Sequence, residues 1–329
     1  MLGTILIFSK RTGMRRVAAV ALALLLGACS SPDAAPDGEI TIVATTSIAG
    51  DLVTQIVGSS ATVNVLMPIG ADPHDFQPSS QQAAALRNAD LVVAWGLGLE
   101  EGLVDVLESA AAEGVSVLEL SALVDPIEFA DDSDDDHAED HADDDPADDD
   151  HGHDLDPHTW MDPVRMAEAA RLIGTALHEI DPSGGWVEEG ERVATELLAV
   201  HDEVTEILAA IPVERRKLVT NHDSLGYLAD RYDFEIVGVA VPGGSTLAAP
   251  SSAQIASLVE AIRDAEVTVL FAETTSPAAL LDAIAGEIEG VRVVEILEGS
   301  LAAPGEPGDT LAGMLLHNAR VIAAALGSS

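Results

Sequence analysis

Short aliphatic and β-branched runs alternate with stretches of helical period along most of the 329 residues. Four strand-like runs fall early, at 40–44, 62–66, 91–94 and 115–118, and four fall late, at 218–220, 236–239, 267–271 and 291–296. Helix-like stretches follow most of them, at 79–88, 100–113, 251–264, 277–289 and 310–326. Strands alternating with helices predict parallel sheets covered on both faces. Two sets of four therefore predict an α/β chain of two similar lobes, each with a four-stranded parallel sheet flanked by helices. Between the sets, Val193, Leu197, Val200, Val204, Ile207 and Ile211 recur at spacings of three and four, with charges between them. Pro182-Ser183-Gly184-Gly185 marks a start and Pro212 a stop. Residues 186–211 are thus expected to form one helix, roughly 39 Å long at the α-helical rise. One long rigid helix between lobes predicts little relative motion. The expected division is a first lobe at 40–182, a linking helix within 183–211 and a second lobe at 212–329.

Two segments interrupt this pattern. Arg15-Arg16 precede an apolar run from Val17 to Leu26 that ends in Leu26-Gly27-Ala28-Cys29. A basic flank, a short apolar stretch and small residues read as a signal peptide over 1–28, too short to span a bilayer. The stretch before Met14 lacks that logic, which leaves Met14 as an alternative start. Cys29 is the only cysteine, so no intramolecular disulfide can form. Residues 29–39, with Pro32 and Pro36, read as a tether. The second interruption is 131–153, where acidic runs are broken by His137, His141, His151 and His153. Such a segment cannot bury a core and is expected to be disordered without ligand. Its histidines among carboxylates suit weak auxiliary metal capture.

Charge narrows the partners. Residues 1–28 hold four basic and no acidic residues, so the chain from Cys29 onward carries 11 Lys+Arg against 57 Asp+Glu, formally −46. The run 131–154 contributes 14 of those acids, and without it −32 remains. A body this acidic repels nucleic acid and anionic membrane surfaces and attracts cations.

Three histidines sit in similar loop-like segments: Asp72-Pro73-His74, Asp156-Pro157-His158 and Asn221-His222-Asp223. Each has a carboxylate within two residues. Proline fixes its own φ and pushes the preceding residue extended, so a Pro-His step holds the imidazole outside any helix. Three imidazoles from separate loops suit a borderline-soft divalent ion such as zinc. His178, His201 and His317 lie in helical patterns and are not expected at the site. Three histidines with an open position would also serve a secreted zinc hydrolase, with Glu273 as base, but no H-E-x-x-H pair is present. A zinc buffer or adhesin without a transporter is a third possibility.

Gly70-Ala71-Asp72-Pro73-His74-Asp75-Phe76-Gln77-Pro78-Ser79 resembles the first metal-ligand loop of the zinc/manganese solute-binding lipoproteins of metal ABC importers. Asp156-Pro157-His158-Thr159-Trp160-Met161-Asp162-Pro163 is similar to their second, and Thr220-Asn221-His222-Asp223-Ser224-Leu225-Gly226-Tyr227 to their third. Leu26-Gly27-Ala28-Cys29 resembles a lipobox. The resemblance runs from about residue 40 to residue 326. It implies two α/β lobes on one rigid helix, with the metal between them, bound by His74 and His158 from the first lobe and His222 from the second. It implies a monomer anchored by lipid on Cys29 to the extracytoplasmic face of the cell membrane, handing Zn2+ to a permease with its ATPase. Manganese members usually carry glutamate where this chain has His222, so zinc is expected over Mn2+. The family's fourth ligand, an acid after the last strand, falls on Gly299, with Glu298 one residue early. Glu298 is the expected fourth ligand or the holder of a completing water. Glu273 is expected to orient a histidine from behind.

Overall fold

The computed structural model describes residues 40–129 and 155–327. The signal segment, Cys29, the tether and the insert histidines His137, His141, His151 and His153 lie outside the described residues.

The first lobe runs β1 (Thr41–Ala44), α1 (Ser47–Val57), β2 (Thr62–Val65), α2 (Ser80–Arg87), β3 (Leu91–Ala94), α3 (Val104–Ala112) and β4 (Ser116–Glu119). Two helices follow, α4 (Pro163–Ile180) and α5 (Trp186–Leu208). The second lobe runs β5 (Lys217–Thr220), α6 (Gly226–Tyr232), β6 (Glu235–Val239), α7 (Ser252–Asp264), β7 (Val269–Glu273), α8 (Ala279–Gly286), β8 (Arg292–Ile296) and α9 (Leu311–Gly327). Both sheets are wholly parallel, and their orders correspond: β2-β1-β3-β4 and β6-β5-β7-β8. The expected α/β architecture of two four-stranded lobes is the observed one.

Each sheet separates two cores by the two-residue alternation of its strands. In β1, Ile42 and Ala44 face a large central core while Val43 faces a local one with Leu66, Leu86, Val92 and Leu103. In β7, Val269 and Phe271 face the central core, and Leu270 and Ala272 face Leu258, Ile262 and Leu281. The central core is common to both lobes, because α1, α4, α5 and α9 all bury apolar residues in it. A core shared in this way resists sliding one lobe over the other, since interiors pack at crystal-like density.

The long helix does not stand alone. α4 lies against α5, and a Cβ on Gly174 would come within 2.5 Å of the Trp186 carbonyl, while one on Gly190 would come within 2.7 Å of that of Ala170. Only glycine at both places permits this approach. α5 itself ends at Leu208, three residues short of the expected stop, and Ile211 closes the following turn on Leu208.

Helix starts were readable where caps are local. Ser79 and Ser251 each form a capping box, with Gln82 and Gln254, at the start of α2 and α7. The stretch expected as one helix at 100–113 begins instead with a 3-10 turn at Glu101–Leu103. α1, α4 and α6 were not among the expected helices, although Thr46 caps α1 and Asp162 with Pro163 starts α4. α1 contains Gly50 and several β-branched residues and buries seven of its eleven positions, so packing rather than propensity makes it helical.

Candidate metal centre

The two Asp-Pro-His tripeptides are small self-closing turns. Asp72 Oδ1 accepts the His74 backbone N–H at 2.9 Å, and Asp156 Oδ1 accepts that of His158 at 2.8 Å. Such bonds from a side chain to the backbone two residues on fix a turn without help from elsewhere. His222 is held differently, two residues past the end of β5. There the Thr220 hydroxyl donates to the His222 carbonyl at 2.7 Å. Asn221 Oδ1 accepts the Glu273 backbone N–H at 3.0 Å, tying the loop to the end of β7. β5 and β7 flank the point where strand order reverses, the usual place for a ligand in an open parallel sheet.

The structure brings His74, His158 and His222 together, all buried. The Nε2 atoms of His74 and His158 are 3.3 Å apart, and those of His222 and His158 are 3.1 Å apart. Zinc–nitrogen bonds of ~2.0–2.1 Å in a tetrahedron place ligand nitrogens about 3.3 Å from one another. The outward nitrogens are backed by acids: His158 Nδ1 lies 2.7 Å from Asp156 Oδ1, and His222 Nδ1 lies 2.8 Å from Glu273 Oε1. A proton held on Nδ1 by a carboxylate leaves the Nε2 lone pair facing inward.

Glu298 reaches the same pocket. Its carboxylate groups with His222 and Glu273, with one ligand atom of each within 4.8 Å of the others. Glu298 Oε1 and Glu273 Oε2 are buried without a hydrogen-bond partner. An unpaired buried carboxyl oxygen is costly. A cation among these carboxyl groups and the three imidazoles removes that penalty, so the donor set fits a divalent metal. Gly299 packs against the loop of His74: a Cβ there would lie 3.0 Å from Pro73 Cδ. An aspartate at 299 would therefore press on Pro73. Trp160, whose ring lies against His158, donates from Nε1 to the Glu298 carbonyl at 3.1 Å and anchors that loop to the first lobe.

Electrostatics separate the three rings. Burial, with two neighbouring imidazoles, pushes His74 down to about 2, and burial also holds His158 well below the usual histidine range. Burial acts the same way on His222, but the charge and hydrogen bond of Glu273, aided by Glu298 and Asp72, outweigh it and raise His222 to about 9. Burial raises Asp156 to about 7 and, with Glu273 beside it, holds Glu298 well above the usual carboxylate range. The metal-free pocket thus carries one imidazolium that an incoming ion must deprotonate.

His201 bonds to Tyr232 instead, its Nδ1 3.2 Å from the hydroxyl, and neither it nor His178 or His317 joins the cluster. Sequence reasoning did not find Asp156 and Asp72 as braces, although the repeated Asp two residues before His was the available signal. Nor did it find Asp162, which accepts from Arg165 of α4 and Arg231 of α6 just past the His158 loop. Arg165 is only three residues from Asp162, but Arg231 lies sixty-nine residues away and meets it through the fold alone.

A buried cation pocket at the ends of two parallel sheets, with both lobes on one helix pair, defines a two-lobed metal-binding protein. The chain belongs to the family described as zinc-uptake complex component A, periplasmic, which it matches over residues 42–325. These are substrate-binding proteins of metal ABC importers, working with permease and ATPase components, and not enzymes. The manganese-binding lipoprotein MntA of Halalkalibacterium halodurans is 27% identical over 305 residues, covering 90% of this chain and 93% of the relative. The high-affinity zinc uptake system protein ZnuA of Bacillus subtilis is 30% identical over 300 residues, covering 89% and 90%. The fold matches that of the periplasmic zinc binding protein TroA from Treponema pallidum, with a TM-score of 0.74 over 88% of this chain and 100% of that one, at 24% identity. The relatives thus include zinc-binding and manganese-binding proteins, several of them named lipoproteins.

Proposed function

We propose that this protein is a lipid-anchored, extracytoplasmic receptor that captures Zn2+ and delivers it to the permease of an ABC importer. His74, His158 and His222 are its ligands in this reading, Glu298 the fourth ligand or the holder of a bound water, and Glu273 the brace of His222. The observation that carries it is the convergence of three buried Nε2 atoms at 3.1 and 3.3 Å. Imidazole favours zinc over the harder, oxygen-preferring manganese. A manganese receptor is the second reading, favoured by two carboxylates in the same pocket and by the MntA relative. Metal analysis of protein purified without added metal, followed by zinc–manganese competition, decides between them. Manganese retained against equimolar zinc would overturn the zinc assignment.

The fourth ligand has its own test. Glu273→Gln should weaken zinc binding by about 10–100-fold, as expected for a group behind a ligand, and Glu298→Gln by more. Proton release separates them further. His222 is raised to about 9 in the metal-free pocket, so binding at pH 7 expels that proton, and because burial also raises Glu298, its coordination adds to the release. The His222 proton alone should make affinity climb about tenfold per pH unit up to about pH 9. Calorimetry in buffers of differing ionisation enthalpy should count more protons released by the parent than by Glu298→Gln. An unchanged count would remove Glu298 from the ligand set.

A further inference from the structure

Each site imidazole turns Nε2 inward and Nδ1 outward, and two of the three have a close carboxylate behind Nδ1. The third, His74, faces Glu101, whose Oε1 lies 3.6 Å from His74 Nδ1, beyond hydrogen-bond range. His74 Nδ1 is buried with no hydrogen-bond partner. Asp156 and Glu273 are 1% and 0% exposed in their side chains, whereas Glu101 is 39% exposed. The corner of His74 is therefore the loosely held one. It also opens onto a cavity of about 410 Å³ that His74, Glu101, Phe129, Gly244 and Ser245 help to line.

In so acidic a chain, one acid near a histidine could be coincidence. Two features argue otherwise. The 3-10 turn that carries Glu101 is pressed onto the loop that carries His74, for a Cβ on Gly102 would come within 2.3 Å of the Phe76 carbonyl and of Gln77 Nε2. Turn and loop are thus constrained to move together. The Glu101 oxygen facing His74 also accepts the Ser245 hydroxyl at 2.5 Å, from the second-lobe segment between β6 and α7. The next residue, Thr246, donates to Asp72 Oδ2 at 2.7 Å, the same carboxylate whose other oxygen braces the His74 backbone. One second-lobe segment therefore grips both supports of His74.

We propose that Glu101 is a positioning residue of the metal site: it accepts the His74 Nδ1 proton in the metal-bound state, and Ser245 holds it there from the opposite lobe. A shift of less than 1 Å brings 3.6 Å into hydrogen-bond range. With Nδ1 unsupported, the ring can turn and withdraw Nε2, so His74 is the first ligand to leave and Glu101 governs release. The inference rests on His74 being a ligand, as proposed above.

The test uses the full chain. Zinc release into excess chelator, followed by stopped flow, should be about 10–100-fold faster in Glu101→Ala, as for other groups behind a metal ligand. Ser245→Ala should speed release by a smaller factor. Glu101→Gln keeps an acceptor oxygen and should recover much of the loss. The visible spectrum of the Co2+-loaded protein should change in Glu101→Ala and return in Glu101→Gln, a response that a remote charge would not give. Glu108→Ala, which removes an exposed acid from α3, should match the parent in both readouts. Parent-like release and spectrum in Glu101→Ala, or equal acceleration in Glu108→Ala, would overturn the inference. His74→Ala run in parallel keeps the two ideas apart. Weak binding in His74→Ala beside unchanged Glu101→Ala defeats this inference alone, whereas parent-like binding in His74→Ala defeats the ligand assignment beneath it.

Discussion

His158→Ala should lower zinc affinity by far more than the roughly 100-fold that marks loss of a group behind a ligand. His158 is the central ring: its Nε2 lies within 3.3 Å of that of His74 and 3.1 Å of that of His222. Its removal takes one of three imidazoles and also strips Asp156 of the ring it braces. Asp156, raised to about 7 by burial, then keeps only the backbone N–H at residue 158 among its bonds to that residue. The variant should fold, since a neutral Asp156 is tolerable in that pocket, while binding no tight zinc. Circular dichroism establishes the first point and competition calorimetry against a chelator the second. A folded variant that binds zinc like the parent would exclude His158 from the site.

Asp162→Asn should produce the largest loss of stability among single changes near the site. Asp162 is 0% exposed in its side chain and accepts from Arg165 Nη1 at 2.6 Å and from Arg231 Nε and Nη2 at 3.0 and 2.7 Å. Its other oxygen caps α4 by accepting the Val164 N–H at 2.9 Å. Asparagine can keep the cap but leaves the Arg165 guanidinium, 8% exposed, without its close counter-charge. Breaking a buried pair from one side costs about 3–5 kcal/mol. The lower end is expected here, because Asp125 and Asp230 stand 3.7 and 3.9 Å from Arg165 and its guanidinium lies over the Tyr227 ring. A cost of about 3 kcal/mol corresponds to a Tm loss of roughly 6–12 °C for a domain of a few hundred residues. Burial makes the effect insensitive to added salt. A metal-free Tm within 2 °C of the parent, on the order of 1 kcal/mol or less, would show that the two arginines are satisfied elsewhere.

The site was legible where its chemistry is local. Asp72-Pro73-His74 and Asp156-Pro157-His158 build their turns from bonds two residues long, so the tripeptide alone announces how each ring is presented. The partner of His222 was less accessible. The carboxylate next to it in sequence is Asp223, yet the one at Nδ1 is Glu273, fifty-one residues away. Glu273 was noticed for its place after a strand, but its pairing with that ring required the β5–β7 adjacency. Glu101 carried no local signal, because what marks it is a glycine contact with Phe76 and a hydroxyl from the other lobe.

By itself, the sequence determined the class of fold, the repeated four-strand pattern and the three histidines, because hydrophobic period and turn chemistry act over a few residues. The tertiary structure decided which acids stand behind which rings. It decided that α4 reinforces α5 through Gly174 and Gly190, and that the two lobes share one core. It also decided that the position after Glu298 is crowded by Pro73. Each of these depends on the close approach of segments tens to hundreds of residues apart. Packing at crystal-like density sets such distances to within tenths of an ångström, and no local rule along the chain carries that information.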